Sequence, residues 1–342
     1  MSLVVVDADV LGRRRTGDET YVRNLLRTFP EPAREAGIEI AAVTRHPELV
    51  PDGVLAVLLA ARSQELRMAW TLPRTLRRLG ASLVHTQYAL PLRAPCPAVV
   101  TIHDLSFEQG LMGRRDRLVF ERVVPRAARG AARILTVSER TKHDLVEQYA
   151  VPPERIVVAP NGVDPAFGPA GDGPSDTVSL GPFALAVGAI QERKNQIAAL
   201  EAAREAGLEL VVVGPVKDEK VAVSLRRAGA RLEGYVAVER LAELYRGAAC
   251  LVQSSRYEGF GLPVVEAMAS GTPVVTVPDP ALVEIAGGAA VVVPEDQLAA
   301  GIRRALAERD TLVAAGLERA RAFTWEAAAR ATVAVYIAAL GP

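Results

Sequence analysis

The sequence predicts an α/β protein made of two doubly wound halves, each a parallel sheet covered by helices. Short β-branched runs alternate with longer stretches rich in Ala, Leu, Arg and Glu, which is the pattern of repeated βαβ units. The pattern stops at 165–182, a segment rich in Pro, Gly, Asp and Ser that indicates a linker, and then restarts. A chain of 342 residues also exceeds one ordinary core and suits two domains.

The first half is expected to contain six strands with helices between them. The predicted strands are 3–6, 38–43, 83–85, 99–102, 133–137 and 156–158. The predicted helices are 19–29, 62–79, 116–129 and 139–148, and Ser138 precedes the last of them as its N-cap.

The second half repeats this organisation after the linker. The predicted strands are 183–187, which ends at Gly188, 208–213, which ends at Gly214, 250–253 and 273–276. The predicted helices are 195–205, 263–269, 299–307, 312–322 and an apolar final helix at 325–340. Ligands of such folds bind outside the carboxyl ends of the strands, so two such edges facing each other would form a deep cleft.

Charge argues against a general nucleic-acid binder, because 40 basic residues are balanced by 40 acidic ones. Residues 1–164 carry a small basic excess, with clusters at 13–15, 74–78 and 114–117. These clusters indicate either attraction to an anionic acceptor or membrane surface, or simply solvated helix faces.

Cysteine usage and the N-terminal residues bear on location. Cys96 and Cys250 lack metal-type spacing and are expected to be reduced thiols. The N-terminus shows no signal-peptide pattern, and no apolar run approaches the roughly 20 residues that span a bilayer. We expect a cytoplasmic protein, and peripheral contact with the inner membrane face stays an open alternative.

The most informative segment is 256–271, which follows the predicted strand 250–253. Gly259 and Gly261 allow the backbone to approach a ligand closely, and Pro263 lies where a helix would begin. Amide groups from Phe260 onward would therefore meet a ligand at a helix N-terminus, which favours anions.

Two carboxylates flank this predicted anion site. Glu258 lies in the loop, and Glu266 lies about one turn inside the helix. A carboxylate beside a phosphate is repelled, so these side chains are expected to bind neutral hydroxyls of a sugar and a ribose.

The run Glu258-Gly-Phe-Gly-Leu-Pro-x-x-Glu266-Ala-Met-Ala-x-Gly resembles the donor-binding signature of the family 4 retaining glycosyltransferases. The resemblance implies the GT-B fold, in which two Rossmann-like domains face a deep cleft. It implies an acceptor-binding domain at 1–164, completed by a C-terminal helix at about 326–342 that crosses back. A linker at 165–182 and a nucleotide-sugar-binding domain at 183–325 complete the expected organisation.

The segment 188–195 places two adjacent cations, Arg193 and Lys194, after a strand and before a helix. It resembles the pair that neutralises the leaving diphosphate in this family, a role suited to charge-assisted hydrogen bonds. Many members carry Arg where this chain has Ala189. Arg193 and Lys194 would therefore neutralise a larger share of the diphosphate charge. The alternative is a solvated helix start.

His103 follows the predicted strand 99–102. A lone His is more often structural, but family members often carry His here, facing the transferred sugar. The resemblance therefore gives a catalytic set of His103, Arg193, Lys194 and Glu258. The expected donor-binding set is Gly17, Ser138, Gly188, Gly214, Tyr235, Gly259, Phe260, Gly261, Leu262 and Glu266.

The opening loop departs from the family pattern. Gly17 is present, but Glu19 stands where a second glycine is common, and its charge opposes phosphate binding. The loop would then orient acceptor hydroxyls instead. Asp7-Ala8-Asp9 resembles the metal site of another glycosyltransferase fold, but it ends the first strand, so no metal is expected.

The resulting hypothesis is a retaining, metal-independent hexosyltransferase that uses a nucleotide diphosphate sugar, mannose-like or glucose-like, and requires no cofactor. Its acceptor would be a saccharide, a lipid-linked or a small molecule, in the synthesis of a cell-surface polysaccharide, glycolipid or glycoconjugate. The alternatives are a non-catalytic nucleotide-sugar-binding protein and another GT-B enzyme such as a nucleotide-sugar 2-epimerase. A dinucleotide oxidoreductase is disfavoured, because no Gly-x-Gly-x-x-Gly follows either opening strand.

Overall fold

The computed structural model describes residues 1–13, 16–59, 61, 63–111, 113–169 and 181–341. It divides into two compact units, one formed by Met1–Gly162 with Trp325–Pro342 and the other by Val163–Thr324. Residues 170–180, the middle of the expected linker, lie outside the described residues, as do Arg14 and Arg15 of the first basic cluster.

The first unit contains a parallel sheet whose described strands follow the order β3-β2-β1-β4-β5-β6-β7. The strands are β1 (Ser2–Asp7), β2 (Ile38–Thr44), β3 (Leu55–Leu58), β4 (Leu83–Gln87), β5 (Ala98–Ile102), β6 (Arg133–Thr136) and β7 (Ile156–Val158). The central strands are buried on both faces, as a parallel sheet covered by helices requires.

The helices of this unit connect successive strands. They are α1 (Thr16–Thr28), α2 (Pro30–Glu35), α3 (Gln64–Leu66), α4 (Leu72–Leu79), α5 (Arg114–Gly130) and α6 (Glu139–Tyr149). The predicted helix 62–79 is interrupted, because Arg67–Thr71 forms a π-helical stretch between α3 and α4, and residue 62 lies outside the described part. Ser138 caps α6 as predicted, with its hydroxyl accepting a hydrogen bond from the Thr141 amide at 3.2 Å.

The second unit contains a parallel sheet in the order β10-β9-β8-β11-β12-β13. Its strands are β8 (Phe183–Val187), β9 (Glu209–Val213), β10 (Arg231–Gly234), β11 (Cys250–Gln253), β12 (Val274–Thr276) and β13 (Val291–Val292). Its helices are α7 (Gln196–Glu205), α8 (Glu219–Arg227), α9 (Val238–Gly247), α10 (Leu262–Ala269), α11 (Pro280–Ala286), α12 (Leu298–Ala307) and α13 (Arg309–Ala320).

The last helix, α14 (Trp325–Leu340), belongs to the first unit. Trp325 and Tyr336 are buried, and the Tyr336 ring packs on Phe29 with centroids 5.8 Å apart. Arg330 forms an ion pair with Glu35 at 2.7 Å. The final segment of the chain therefore completes the core formed by its first segment.

All the strands predicted from the sequence are present, with bounds that agree within two residues. The prediction missed β3, β10 and β13, which lie at sheet edges and are short or exposed, so they lack the long apolar run of a central strand. It also missed four helices, α2, α8, α9 and α11, each of ten residues or fewer.

Each sheet reverses its strand order once, between β1 and β4 in the first unit and between β8 and β11 in the second. Loops that leave neighbouring strands in opposite directions open a crevice at such a point, where ligands of doubly wound folds bind. Within the described residues, no helix has both the length and the apolar character that a bilayer crossing requires.

Candidate active site

In the second unit, two glycines shape the ends of the strands β8 and β9. Gly188 and Gly214 have φ angles of +139° and +147°, which side chains rarely tolerate. A Cβ atom on Gly214 would lie 2.1 Å from the Gly188 carbonyl oxygen, so the two loops touch through their backbones. Both predicted glycines are therefore required by the path of the chain at the carboxyl edge of the sheet.

The loop after β8 is held against the loop after β11 by hydrogen bonds to backbone carbonyl oxygens. The Ser254 hydroxyl donates to the Asn195 carbonyl oxygen at 2.9 Å, and the Arg256 amide donates to the Arg193 carbonyl oxygen at 3.0 Å. The Arg193 guanidinium donates in return to the Tyr257 carbonyl oxygen at 2.5 Å. These bonds bring two sequence-distant motifs together at the reversal point of the sheet.

The charged centre of this contact is an ion cluster of Lys194, Arg193 and Glu258. Lys194 Nζ donates to Glu258 Oε1 at 2.5 Å, and Arg193 Nη1 lies 3.6 Å from Glu258 Oε2. Gln253, which the sequence analysis did not single out, also donates to Glu258 Oε1, at 2.7 Å. Burial raises the pKa of Glu258, but the charges of Lys194 and Arg193 outweigh it and lower the pKa to about 2. Glu258 is therefore ionised at neutral pH and faces two cations.

The helix α10 begins beside this cluster. Gly261 is its N-cap with φ +106°, and a Cβ there would lie 2.7 Å from Leu282 Cδ2, so glycine fits both the backbone and the space. Phe260 anchors the loop by packing its edge on Phe323, with centroids 5.8 Å apart. The partial positive charge of a helix N-terminus thus lies at this edge of the sheet.

Glu266 lies in the second turn of α10 and accepts a hydrogen bond from the Tyr245 hydroxyl at 2.8 Å. Burial raises the pKa of Glu266, the Tyr245 hydrogen bond lowers it, and Asp164 raises it again, to about 7. Its charge therefore changes near neutral pH. Tyr245 precedes Glu266 by 21 residues, and no local pattern in the sequence indicated this contact.

In the first unit, His103 directly follows β5 and is buried. Its Nε2 atom lies 3.3 Å from Gln87 Oε1, and the Tyr21 ring meets its face at 85° with centroids 4.6 Å apart. Burial lowers the pKa of His103, and the nearby carboxylates of Asp18 and Asp104 oppose that shift only in part. The imidazole is therefore neutral at neutral pH.

A chain of buried hydrogen bonds supports the Tyr21 ring and hence His103. The Tyr21 hydroxyl lies 2.9 Å from Thr101 Oγ1, which lies 2.7 Å from His85 Nε2. His85 Nδ1 in turn lies 2.6 Å from the Tyr336 hydroxyl on α14. Burial and the neighbouring His103 lower the pKa of His85 to about 3. The neutral His85 ring therefore links the hydroxyl groups of Thr101 and Tyr336 by hydrogen bonds. Nothing in the sequence indicated this set, because its members are far apart in the chain.

Comparison with known proteins agrees with this geometry. The family model for Glycosyltransferase Family 4 matches residues 15–167, and that for Glycosyl transferases group 1 matches residues 177–322. The O-antigen chain mannosyltransferase B of Escherichia coli is 30% identical over 267 residues, which are 70% of each chain.

This chain is a family 4 glycosyltransferase.

Solved structures show the same GT-B fold for this glycosyltransferase. Sucrose-phosphate synthase from Thermosynechococcus elongatus has a TM-score of 0.76 at 22% identity and covers 98% of both chains. The lipopolysaccharide glycosyltransferase WaaG has a TM-score of 0.74 at 16% identity over 97% of this chain and 98% of its own. A second sequence relative, the MMP alpha-(1->4)-mannosyltransferase of Mycolicibacterium hassiacum, is 33% identical over 64% of this chain and 56% of its own.

In this glycosyltransferase, Gly17 lies in the first turn of α1, with nothing within 4 Å of the Cβ that a side chain would add. Glu19 is buried, and its Oε1 atom accepts hydrogen bonds from the Gly12 amide at 3.0 Å and from Arg23 at 2.6 Å. Its charge is thus paired within the loop, which reduces the repulsion that the sequence analysis expected toward a phosphate.

Ser138 is fully buried, and its hydroxyl lies 3.2 Å from the Thr141 hydroxyl in addition to capping α6. Thr141 Oγ1 donates to the His103 carbonyl oxygen at 3.1 Å. Ser138 therefore connects to His103 through Thr141. Among the remaining predicted donor residues, Tyr235 follows β10 and is 54% exposed, and Leu262 is the first residue of α10.

The metal-like motif Asp7-Ala8-Asp9 forms ion pairs with arginines. Arg67 donates to Asp7 Oδ1, Arg13 donates to Asp9 Oδ2, and Arg45 Nε donates to Asp9 Oδ1 at 2.9 Å. No group of three or more His, Cys, Asp or Glu that could hold a metal ion is present in the described part of the chain. These carboxylates are thus already neutralised by guanidinium groups.

Proposed function

We propose that this glycosyltransferase moves a hexose from a nucleotide diphosphate sugar to an acceptor hydroxyl, with retention of configuration and without a metal ion. The observation that carries the proposal is the cluster of Arg193, Lys194 and Glu258 at the strand-order reversal of the second sheet. The cluster offers positive charge for a phosphate and carboxylate oxygens for a sugar side by side.

Arg193 and Lys194 stabilise the negative charge that develops on the departing diphosphate. Stabilisation of charge by prearranged donors in a buried site is usually the largest contribution to such catalysis. In the structure both cations lie beside the carboxylate of Glu258, so their charges are already held together at one place. The N-terminus of α10, opened by Gly259, Phe260, Gly261 and Leu262, adds its dipole to the same anion.

Glu258 and Glu266 bind hydroxyl groups of the donor. Glu258, fixed by Lys194 and Gln253, accepts hydrogen bonds from the sugar. Glu266 accepts hydrogen bonds from the ribose when it is ionised, above its pKa of about 7. The exposed ring of Tyr235, beside the edge formed by Gly188 and Gly214, offers a stacking surface for the base.

His103 binds the transferred sugar as a neutral imidazole, held in place by Gln87 and Tyr21. Ser138 positions His103 through Thr141, and the amide of Gly17 approaches the diphosphate, since its Cβ position is open. Retention is proposed from membership of the family. Because Glu258 is tied to two cations, it is a poor nucleophile, so we propose that the acceptor hydroxyl forms its bond to the anomeric carbon on the face from which the diphosphate departs, without a covalent glycosyl-enzyme intermediate. The donor phosphate then takes the proton of the acceptor hydroxyl.

The choice of sugar rests on the relatives. Two of them are named mannosyltransferases, for an O-antigen chain and for MMP. The Anabaena protein HepE, which shares the fold, has been solved with UDP-glucose. We therefore propose mannose first and glucose second, with a saccharide or lipid-linked acceptor. Bacterial cell-surface polysaccharide or glycolipid synthesis is the setting that these names support.

A cytoplasmic location with peripheral contact to a membrane forms part of the proposal. Trp70 is 57% exposed with the Arg74 guanidinium 4.8 Å from its ring centroid, and Leu118 and Val119 are exposed on α5. Exposed apolar side chains beside arginines suit an anionic lipid surface.

The test is a transfer assay with GDP-mannose, UDP-glucose and ADP-glucose, with and without a chelator. We expect release of nucleoside diphosphate that the chelator does not abolish, and an NMR spectrum that shows the anomeric configuration of the donor in the product. Lys194→Met should lower kcat/KM about 10²- to 10³-fold. Lys220→Met, the same change at an exposed site on α8, should leave it unchanged.

Inversion at the anomeric carbon, or loss of activity on chelation, would contradict the mechanism. Donor binding without any turnover, equal in the wild type and in Lys194→Met, would instead favour a non-catalytic nucleotide-sugar-binding protein.

A further inference from the structure

A chain of buried hydrogen bonds in the first unit begins and ends on α14. At one end the Tyr336 hydroxyl lies 2.6 Å from His85 Nδ1. In the middle Thr101 Oγ1 lies 2.7 Å from His85 Nε2 and 2.9 Å from the Tyr21 hydroxyl. At the other end the Tyr21 hydroxyl forms a hydrogen bond with the side chain of Thr332, which is one turn before Tyr336 on α14. The last helix is therefore tied to Tyr21 from two sides.

The donor of each hydrogen bond in this chain can be assigned, because a hydroxyl group has a single hydrogen atom. The Thr332 hydroxyl donates to the Ala328 carbonyl oxygen at 2.8 Å, so it can only accept from Tyr21. Tyr21 therefore donates to Thr332 and accepts from Thr101. Thr101 in turn accepts from His85, whose hydrogen atom must lie on Nε2.

The reverse order of donors is unfavourable. If Thr101 donated to His85 Nε2, the hydrogen atom of this neutral ring would lie on Nδ1 and point to the Tyr336 hydroxyl. The hydrogen atom of Tyr336 would then have no acceptor within the described residues, and Thr332 would lose its donor. All of these side chains are buried, and a buried polar group without a partner is costly.

The neutral His103 ring also carries one hydrogen atom, and Gln87 determines its place. His103 Nε2 lies 3.3 Å from Gln87 Oε1, an amide oxygen that can only accept, so the hydrogen atom lies on Nε2. The carboxylates of Asp18 and Asp104 act on the ring through their charge. Within the described residues, neither carboxylate forms a hydrogen bond with it, and Nδ1 keeps an unused lone pair.

We propose that Gln87 and the chain from α14 hold His103 in one tautomer, whose bare Nδ1 atom accepts a hydrogen bond from a hydroxyl group of the transferred sugar. The Tyr21 ring fixes the imidazole by contact at 4.6 Å between centroids, and the chain fixes the Tyr21 hydroxyl. His85 and Tyr336 are then positioning residues, which act on the sugar through His103. The inference rests on the proposed function, since it describes how His103 serves that reaction.

Nitrogen NMR of protein labelled with ¹⁵N-histidine tests the two tautomers without any substrate. A ring nitrogen that carries hydrogen differs in chemical shift from one that does not, and the chain has four histidines. The variants His46→Gln, His103→Gln and His143→Gln assign their signals. At pH 7 both His85 and His103 should carry hydrogen on Nε2, and hydrogen on Nδ1 of either ring would overturn the proposal.

Substitution of Gln87 tests what determines the tautomer of His103. Gln87→Met removes the acceptor oxygen, so the form with hydrogen on Nδ1 should appear in the spectrum, and kcat should fall about 2- to 10-fold, the value of one neutral hydrogen bond. Gln87→Glu keeps an acceptor oxygen and should retain both the wild-type tautomer and most of kcat. Equal spectra and equal kcat for the two variants would exclude Gln87 from this role.

Transfer kinetics test the chain from α14. Tyr21→Phe keeps the ring beside His103 but removes its hydroxyl, and Tyr336→Phe breaks the chain on α14. Each should lower kcat about 2- to 10-fold and leave the dissociation constants of GDP and UDP unchanged. The control Tyr149→Phe loses a hydroxyl hydrogen bond to Glu108 in the same unit and should keep the wild-type kcat.

The positioning role is overturned if the chain variants lower the melting temperature as Tyr149→Phe does but leave kcat unchanged, because the chain would then serve stability alone. Failure of the proposed function gives a different result. In that case no protein of the series transfers sugar, while the NMR spectra still show His85 and His103 with hydrogen on Nε2.

Discussion

The carboxyl edges of the two sheets have the same topology but use charge in different ways. In the second unit, Lys194 and Arg193 meet Glu258 at the strand-order reversal itself, between β8 and β11. In the first unit, the arginine–aspartate network lies to one side of the reversal, at and after the ends of β1, β2 and β3. His103 lies on the other side, after β5. The first edge therefore keeps its charged side chains apart from the buried imidazole, whereas the second edge gathers its charged side chains in one cluster.

This difference fits what each edge would bind in the proposed reaction. In the proposed reaction a nucleotide sugar needs cations and hydroxyl acceptors within a few ångströms, and one compact cluster supplies both. The first edge instead holds the buried imidazole of His103 apart from the arginine–aspartate network. We therefore expect a substitution at the first edge to change either the stability of the fold or ligand binding. A substitution at the second edge should change both.

The largest effect is expected for Arg67→Met, which leaves Asp7 without its guanidinium partner and removes one of those around Asp9. Removal of one partner of a buried ion pair costs about 3–5 kcal/mol. Urea unfolding should show this loss, and the control Arg78→Met should lose little. A loss below about 1 kcal/mol would mean that the network contributes little to stability and that the two edges differ less than the structure indicates.

Glu258→Gln tests the second edge through its pH dependence. The folded pKa of Glu258, about 2, lies below its usual value of 4.5, so its stabilisation is complete above 4.5 and disappears as the pH falls toward 2. This shift corresponds to about 3 kcal/mol.

The free energy of unfolding of the wild type should therefore fall by about that much more than that of Glu258→Gln between about pH 5 and pH 2. Glu205→Gln, an exposed change, serves as the control. If the free energies of unfolding of wild type and Glu258→Gln fall in parallel as the pH decreases, Lys194 and Arg193 do not stabilise the ionised form of Glu258.

Glu266→Gln should show the opposite sign. The folded pKa of about 7 lies above 4.5, so the stabilisation is complete below 4.5 and is lost as the pH rises through 7. The variant, which resembles the protonated form, should gain about 2–3 kcal/mol relative to wild type between about pH 5 and pH 8.

The affinity for nucleotides, measured against pH, tests whether Glu266 also takes part in binding. Ribose hydroxyls donate to the ionised carboxylate, so wild-type affinity for GDP or UDP should rise over the same pH range, whereas that of Glu266→Gln should stay flat. Equal pH profiles for the two proteins would remove Glu266 from the nucleotide site.

The smallest effect is expected for Gly17→Ala. The added methyl group meets nothing within 4 Å inside α1, so stability should increase by about 0.5–1 kcal/mol. If the Gly17 amide approaches the diphosphate, the same methyl group should weaken donor binding while the melting temperature rises. Gly168→Ala, another position with space for a methyl group, is the control. Unchanged donor affinity would exclude Gly17 from the site.

Local features of the site were predictable from the sequence. The capping of α6 by Ser138, the start of α10 after Gly261 and the glycines that end β8 and β9 follow from patterns within a few residues. The position of His103 at the end of β5 follows from the apolar run before it. In each case the residues that decide the structure are neighbours in the chain.

The partners of these residues were not predictable in the same way. Gln253 and Tyr245, which bind Glu258 and Glu266, lie in segments that the sequence marked only as strand or left unassigned. Asp279 had a local signal, since it precedes a proline at the start of α11, but nothing in the sequence linked it to the amide of Glu258.

The sequence by itself determined the alternation of strands and helices, the ends of the central strands and the residue types available at those ends, because these depend on side-chain periodicity and on glycine. The tertiary structure alone decided which distant side chains meet. Lys194 reaches Glu258 across 64 residues, Arg67 reaches Asp7 across 60, and His85 reaches Tyr336 across 251. The physical reason is strand order: β1 lies beside β4 and β8 beside β11, and that order determines which distant residues share one edge of a sheet.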